Sequence, residues 1–170
     1  MSIERILTEE NAMLLRMLRE EKIFTDTSIV FPNQGKETQL NLVSWNDRNQ
    51  YILYINRKSK IKTRYTLQNK AYDSHILLRL DLDNKPHRNP NGEKISGNHL
   101  HIFDKTDESG SWAFELSDTN LSIVFPDFNL ARIIQNGTTP IEQFRLFCEL
   151  CNTGEIPNIT EKPVNDSFAF

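Results

Sequence analysis

Apolar and polar residues alternate through the middle of the chain, from about residue 37 to residue 116. In HILLRLDLD, residues 75–83, isoleucine and leucine fill the even positions, whereas Arg79 and Asp81 lie at odd positions. A period of two is typical of a β-strand whose two faces meet different surroundings. The predicted strands are 37–45, 50–57, 61–68, 75–83, 99–103 and 112–116. The second and third of these strands flank a short turn over 58–60 and are predicted to form a β-hairpin.

Helical spacing replaces this alternation toward both ends of the chain. Near the start, three leucines recur at helical spacing after Thr8, a suitable N-cap, and predict a helix over residues 8–22. Toward the end, the sequence TPIE at 139–142 combines a capping box with proline at the first helical position. It predicts a helix that continues to about Asn152, preceded by a short helix over 127–135.

The order of the predicted elements is one helix, then a run of strands, then further helices. This order is typical of an α+β domain with one antiparallel sheet, here of four to six strands. A chain of 170 residues is long enough for one such domain and short for two. We therefore expect a single domain over residues 1–152. Residues 153–170 show no period and are predicted to form a C-terminal tail.

The composition is that of an ordinary soluble protein, with 38% hydrophobic and 25% charged residues. No run of eighteen apolar residues is present, and acidic residues interrupt the first fifteen positions, so neither a membrane span nor a secretory signal is expected. These features favour a cytoplasmic location. Cys148 and Cys151 lie on a predicted helix without a second cysteine pair, so we expect reduced packing residues rather than a zinc site.

The net charge of −3 hides a basic segment. Seven basic residues and no acidic residue lie between Arg48 and Tyr72, which leaves 13 basic and 23 acidic residues for the rest of the chain. A local excess of positive charge favours contact with a polyanion, and we expect this partner to be RNA. The candidate contacts to the backbone or bases are Arg57, Lys58, Lys60, Lys62, Arg64, Tyr65 and Trp112.

Three of the four histidines lie within fifteen residues, at positions 87, 99 and 101. If the strands 75–83 and 99–103 pair in the matching register, Arg79, His99 and His101 share one face of the sheet. We expect Trp112 near this face, and His87 can fold back toward it from the loop over 84–98. A face without a function would simply be a solvated sheet surface.

The first functional interpretation of these residues is metal-independent cleavage of RNA. Transphosphorylation needs a base for the 2′-hydroxyl, an acid for the leaving oxygen and a cation for the phosphorane. Histidine suits both proton transfers because its pKa lies near neutral pH, and arginine suits the phosphate. We therefore expect His99 and His101 to act as an acid–base pair, Arg79 to stabilise the phosphorane and His87 to support the site. No cofactor is expected for this reaction.

Two further interpretations remain open. The three clustered histidines would suit a metal with an open fourth position, and Asp81 would be a ligand or a supporting partner. This metal site needs His87 to be well placed, although it lies on a predicted loop. Alternatively, the protein has no catalytic role and inhibits a host defence complex, since an uneven charge distribution also suits binding to a nucleoprotein.

Part of the sequence resembles an uncharacterised family of short proteins from phages and mobile elements of Gram-positive bacteria. The resemblance covers residues 60–152. The residues that carry it are Arg79, Asp81, Pro86, His87, Asn89, Pro90, Gly92, His99, His101, Phe103, Trp112 and Ala113, followed by Phe147, Cys151 and Asn152. It implies an origin in a phage or mobile element and leaves the activity open.

The order Arg-x-Asp, Pro-His and His-x-His is more distantly similar to histidine-rich toxins of the barnase, EndoU and RelE-like endoribonuclease group. That resemblance implies a helix followed by a four-stranded antiparallel sheet that carries the catalytic residues, here Arg79, His87, His99 and His101. This chain departs from the pattern by a longer loop over 88–98 and by two C-terminal helices. The likeness implies a role as a toxin or against host defence, such as cleavage of a guide RNA.

Overall fold

The computed structural model describes residues 3–46, 48–61, 63–72, 74–82, 85–107 and 111–162. The α-helices are α1 (Ala12–Arg19), α2 (Leu121–Val124) and α3 (Pro140–Leu150). The strands are β1 (Lys22–Phe24), β2 (Ser28–Phe31), β3 (Glu37–Ser44), β4 (Gln50–Asn56), β5 (Tyr65–Ala71), β6 (His75–Leu82), β7 (His87–Arg88), β8 (Lys94–Ile95), β9 (His99–Phe103), β10 (Ser111–Glu115) and β11 (Asn158–Glu161). Short 3-10 helices cover Ile3–Arg5, Glu9–Asn11 and Leu130–Ile134.

Seven of these strands form one antiparallel sheet in the order β1-β3-β4-β5-β6-β9-β10. The predicted α+β class is therefore confirmed, with an N-terminal helix, an antiparallel sheet and a C-terminal helix. The sheet exceeds the predicted four to six strands because β1 also joins it. With three residues, β1 is too short for its alternation to be recognised in the sequence.

The two faces of the sheet differ in chemistry. One face carries fully buried leucines such as Leu53, Leu80 and Leu100, and it forms the core together with α1 and α3. Cys148 and Cys151 belong to this core, are buried and free, and have the packing role expected of them. The other face carries polar side chains on β3 to β6, as an antiparallel sheet with one solvated face requires.

The connection between β4 and β5 is longer than the predicted turn, because β5 begins only at Tyr65. Side chains hold this connection in place of a strand ladder. The Lys58 amide donates to Asn56 Oδ1 (2.9 Å), and the Ile61 amide donates to Ser59 Oγ (3.2 Å). Lys60 and Arg64 therefore lie in a loop, and the prediction that a strand begins at residue 61 is wrong. Lys62 lies outside the described residues.

The C-terminal third confirms some predictions and corrects others. The Thr139–Glu142 capping box opens α3 as predicted, with the Thr139 side chain accepting from the Glu142 amide. The predicted helix over 127–135 is the five-residue 3-10 helix Leu130–Ile134. Residues assigned to a tail include β11, which pairs in parallel with β2. The last eight residues, 163–170, lie outside the described part of the chain.

A buried lysine connects two helix ends to the sheet. The ammonium group of Lys22, with a side chain that is fully buried, donates to the carbonyl oxygens of Leu18 (2.9 Å), Glu20 (2.8 Å) and Cys151 (2.8 Å). These carbonyls lie at the C-terminal ends of α1 and α3, where a helix leaves oxygens without partners. The interaction explains why α1 ends at Arg19 rather than at the predicted residue 22. In the ranges described above, no helix is long and apolar enough to cross a membrane.

Candidate metal centre

The register between β6 and β9 brings the predicted site residues together. Arg79 lies directly opposite His101, and Asp81 lies directly opposite His99. Directly opposed residues project from the same face of an antiparallel sheet. The expectation that Arg79, His99 and His101 share a face is therefore confirmed. This face is the one that points away from the core.

The hairpin formed by β7 and β8 folds over these residues and supplies the third histidine. His87 and Ile95 are paired across the hairpin and point inward. Asn89 fixes the hairpin to the edge of the sheet, because its side chain donates to the Ala113 carbonyl (3.0 Å) and accepts from the Ala113 amide (2.9 Å). As a result, the His87 ring lies 4.6 Å from the His101 ring and 5.6 Å from the His99 ring, measured between centroids.

Two of the three imidazoles are buried, whereas His87 and the charged residues beside the cluster are partly accessible. His99 is 3% exposed and His101 is 1% exposed. The side chain of Arg79 is 33% exposed and that of Asp81 is 17% exposed. His99 and His101 are therefore not part of a wet sheet face, and the accessible groups of the cluster are His87, Arg79 and Asp81.

One nitrogen of each imidazole is fixed by a neighbouring group. His99 Nδ1 lies 2.7 Å from the Gly97 carbonyl oxygen, to which it donates. His101 Nε2 lies 3.2 Å from Asp81 Oδ2, and His87 is hydrogen-bonded by Asn89. At many metal sites a carbonyl or a carboxylate orients a histidine ring in this way. In this cluster Asp81 Oδ2 also lies 3.3 Å from His99 Nε2, and Arg79 Nη2 lies 2.9 Å from His101 Nε2.

Nitrogens of the three imidazoles lie close to one another. His87 Nε2 and His101 Nδ1 are buried and have no hydrogen-bond partner among the described residues. One nitrogen from each of the three histidines lies within 4.8 Å of the corresponding nitrogens of the other two. A buried polar atom without a partner costs about 1–3 kcal/mol, so this arrangement is unfavourable unless something is bound there.

The spacing of the rings matches a three-histidine metal site. The centroid distances are 4.6, 4.9 and 5.6 Å. Three imidazoles that bind one zinc ion at about 2.1 Å in tetrahedral directions would have ring centres about 5 Å apart. The ligand nitrogens themselves would be about 3.4 Å apart in such a site. Here they lie within 4.8 Å of one another, so binding would require the rings to move closer together.

Asp81 links the arginine to two of the histidines. Its Oδ2 accepts from Arg79 Nη2 (3.0 Å) and Nε (3.2 Å) and faces His99 Nε2 at 3.3 Å. Thr66 donates to the other oxygen, Oδ1 (3.2 Å). Burial alone would raise the pKa of the Asp81 carboxyl, but hydrogen bonds from both histidines and the charge of Arg79 hold this pKa well below its usual range. The aspartate is therefore a permanent anion in the cluster.

The three imidazoles differ in their protonation. Burial lowers the pKa of His101 to about 4, and the nearby Arg79 contributes to this shift. Burial also lowers the pKa of His87, helped by the charges of His99 and Arg79. For His99 the effect of burial is outweighed by hydrogen bonds to Asp81 and the Gly97 carbonyl, so its pKa is raised. At neutral pH, His87 and His101 are neutral, and His99 is the imidazole of the cluster that keeps its proton to the highest pH.

Two aromatic residues expected near RNA lie in the core instead. Trp112 pairs with Ile102, so it faces the core; it is 3% exposed, and its indole nitrogen donates to Asp107 (3.0 Å). Tyr65 is 5% exposed and is hydrogen-bonded to Gln143. Neither ring is free to stack on a base, which corrects both predictions. Tryptophan and tyrosine often bury the ring when the polar atom finds a partner.

The predicted basic contacts have different surroundings. Arg57 donates to the Pro32 carbonyl (2.8 Å) and lies over the Phe31 ring, and Lys58 forms an ion pair with Glu37 (2.6 Å). Lys60 is exposed, and Arg64 is half-buried. The structure thus leaves Lys60 accessible and gives Arg57 and Lys58 structural partners.

Sequence reasoning missed the groups that orient the histidines. Asn89 lies in the segment 84–98 that the sequence predicts as a loop, and the Gly97 carbonyl has no signature in a sequence. The sequence does contain one indication that Asn89 belongs to the site, since it lies two residues after His87 in an otherwise turn-forming segment. The Asn89 side-chain amide makes the two hydrogen bonds that the backbone of a further strand would make at the edge of the sheet. Only the fold reveals this role.

Residues 7–153 match the model of a family of unknown function, DUF6978. The chain belongs to this family. The match spans the whole sheet and all residues of the candidate metal centre. Comparisons with curated proteins and with solved structures each give no match.

Proposed function

We propose that this DUF6978 protein is a metal-dependent enzyme whose centre binds a zinc-like divalent ion through His87, His99 and His101. The observation that carries the proposal is the proximity of one nitrogen from each of the three imidazoles, within 4.8 Å of one another. Two buried nitrogens, His87 Nε2 and His101 Nδ1, have no partner in the described part of the chain. Imidazole is the preferred neutral ligand for zinc and similar ions. Three protein ligands with one further position are typical of catalytic zinc sites.

The position of His87 supports this proposal. Two histidines at i and i+2 on one strand need a third ligand placed against them. The clamp between Asn89 and Ala113 gives the hairpin a fixed position and sets the His87 ring beside the other two. A hairpin tied to the sheet edge in this way is an adequate support for a ligand.

The surroundings of the centre favour hydrolysis of an anionic substrate. A bound metal would supply Lewis acidity, which assists attack of water on an ester. Arg79 lies on the accessible side of the cluster, where its planar guanidinium suits a phosphate or a carboxylate. Asp81 orients His101 from the same side. These residues would position the substrate and hold the ligand in the correct tautomer.

A second candidate function uses the same residues without a metal. His99 lies between two acceptors and has a raised pKa, while the neutral His101 ring places Nε2 beside both Arg79 Nη2 (2.9 Å) and Asp81. Metal-independent cleavage of RNA requires a general acid, a general base and a cation. His99, with its raised pKa, suits the acid, the neutral His101 suits the base, and Arg79 supplies the cation. The burial of both rings makes this candidate the weaker one, because the hairpin would have to move aside to admit RNA.

The decisive experiment measures metal content and RNA cleavage on the same protein samples. The protein is incubated with zinc and desalted, and its metal is then quantified by mass spectrometry. We expect about one zinc per chain for the wild type, a strong loss for His87→Gln and no loss for His75→Gln. His75 is the matched control, because it is the fourth histidine and is exposed outside the cluster.

The activity arm assigns the chemistry. Cleavage of RNA that is abolished by EDTA and restored by zinc supports the metal enzyme. Cleavage that persists in EDTA and disappears in His101→Ala overturns it in favour of the acid–base enzyme. Absence of both zinc uptake and cleavage contradicts both candidates and leaves the non-catalytic inhibitor as the remaining interpretation.

A further inference from the structure

Two basic side chains lie directly opposite each other on the outer face of the β7–β8 hairpin. Arg88 of β7 is the cross-strand partner of Lys94 of β8. Both residues are exposed, whereas their neighbours His87 and Ile95 point inward. The hairpin therefore presents a pair of cations on its outside and a candidate metal ligand on its inside.

This pairing is unfavourable for the hairpin alone. Like charges directly opposite each other on two strands destabilise their pairing. Within the described residues, neither Arg88 nor Lys94 forms an ion pair, and the contact of the Arg88 guanidinium is to the Gly92 carbonyl (3.1 Å). A two-residue strand pair has little other stabilisation to spare for such a repulsion. An anion held between the two cations would relieve it.

Further cations lie around the same end of the sheet. Across the open face, Asn56, Thr66, Asp81 and His99 form one row of neighbouring residues from β4 to β9. The basic connection after Asn56 therefore begins about three strands, or roughly 15 Å, from His99. Cations thus lie on the hairpin, at Arg79 and at Lys60, and two acids lie between them, Asp81 paired with Arg79 and Glu37 paired with Lys58. A single small anion would not use charges spread over this distance, whereas a polyanion would.

We propose that the substrate of the metal centre is a single-stranded nucleic acid whose phosphates contact Arg88 and Lys94 and lead past Arg79 to the cluster. This inference rests on the proposed function, since it names the substrate class of that site. Regularly spaced phosphates match cations that are distributed along a path. A single strand is favoured over a duplex because the path runs along the partly covered edge of one sheet face, where a flexible chain can follow it.

The test measures binding of fluorescent 15-nucleotide RNA and DNA of one sequence by anisotropy, over a range of salt concentrations. Arg88→Gln/Lys94→Gln is compared with Arg16→Gln/Arg19→Gln, which removes two exposed cations from α1 on the opposite face of the sheet. We expect the hairpin variant to bind at least tenfold more weakly, with a salt slope lower by about 1.4, or 0.7 for each lost phosphate contact. The control variant should bind like the wild type.

Several outcomes would overturn the inference. These are equal binding by the two double variants, equal binding of poly-glutamate by the wild type, or no binding of either oligonucleotide. The comparison of RNA with DNA of the same sequence shows whether binding depends on the 2′-hydroxyl group. Zinc content is measured on the same samples, so that a failure of the proposed metal centre can be distinguished from a failure of the proposed substrate. A hairpin variant that keeps zinc and loses the oligonucleotide supports the substrate, whereas oligonucleotide binding without any zinc uptake contradicts the metal centre alone.

Discussion

Asp81 balances most of the positive charge in the cluster. Its carboxylate faces the Arg79 guanidinium and the His99 ring, whose pKa is raised by this contact. A divalent ion would add two further positive charges within a few ångströms of Arg79. Arg79 also contacts His101 Nε2 (2.9 Å), the nitrogen that must carry a proton if His101 binds a metal through Nδ1. Arg79 is therefore useful toward an anionic substrate and unfavourable toward the metal.

We expect Arg79→Gln to bind zinc more tightly than the wild type, by about tenfold. Two like charges about 5 Å apart near a protein surface repel by a few kcal/mol, part of which is screened. The affinity is measured by competition with a chromophoric chelator at pH 7.5. Lys70→Gln is the control, since it removes a cation from the same open face outside the cluster. Weaker zinc binding by Arg79→Gln would contradict the proposed ligation by His101.

At the scale of elements, the β7–β8 hairpin depends on one side chain for its position. Asn89 is 2% exposed and replaces a strand residue at the β10 edge, where it pairs with both backbone groups of Ala113. The Asn89 side chain therefore connects sheet stability with the position of His87. The hairpin itself is only two residues long on each side.

We expect Asn89→Ala to destabilise the protein by about 2 kcal/mol and to weaken zinc binding. The substitution leaves a buried donor and a buried acceptor at Ala113 without partners, and each such loss costs about 1–3 kcal/mol, partly offset by access of water. Urea unfolding measures the stability, and hydrogen exchange measures protection of the Ala113 amide. Asn91→Ala is the control at the exposed turn and should change stability by less than about 0.5 kcal/mol. Unchanged zinc affinity in Asn89→Ala would show that the hairpin is placed by other contacts.

The elements also show which features the sequence predicts. Alternation in 75–83 and 99–103 is long enough to fix the faces of β6 and β9, and with them the shared face of Arg79 and His101. Trp112 was assigned to the wrong face because a shift of one residue in register reverses every side chain of a strand. The hairpin that carries His87 is too short to show a period. The pairing of β11 with β2 joins residues far apart in sequence, which no local pattern can indicate.

At the scale of the whole molecule, Lys22 of strand β1 connects the sheet to the C-terminal ends of the helices α1 and α3. Its ammonium group reaches carbonyls at the ends of α1 and α3 and lies over the Tyr51 ring at 4.7 Å. The sequence contains no signal for this role, because a lysine next to an apolar strand usually points to solvent. Three carbonyl partners offset part of the cost of burying the charge, and burial still lowers the pKa of Lys22 to about 8.

This pKa predicts that the protein becomes more stable between pH 8 and pH 10 through Lys22. The unfolded chain retains the proton of Lys22 up to its ordinary pKa near 10.5, whereas the folded protein releases it near pH 8. Since the unfolded state binds more protons in this interval, the free energy of unfolding rises with pH. The expected gain is about 2 kcal/mol from pH 8 to pH 10 relative to Lys22→Met, which cannot titrate.

The measurement is urea unfolding of both proteins at half-unit steps from pH 7 to pH 10. The difference between wild type and Lys22→Met removes the contributions of other titrating groups. The upper limit is chosen because burial raises the pKa of Tyr51 and Tyr65, and folded stability falls as those tyrosines ionise in the unfolded state above pH 10. A constant difference across the range would mean that Lys22 keeps its proton in the folded protein. Its three carbonyl contacts would then stabilise the ammonium form enough to cancel the cost of burial, and the link between α1, α3 and the sheet would be independent of pH.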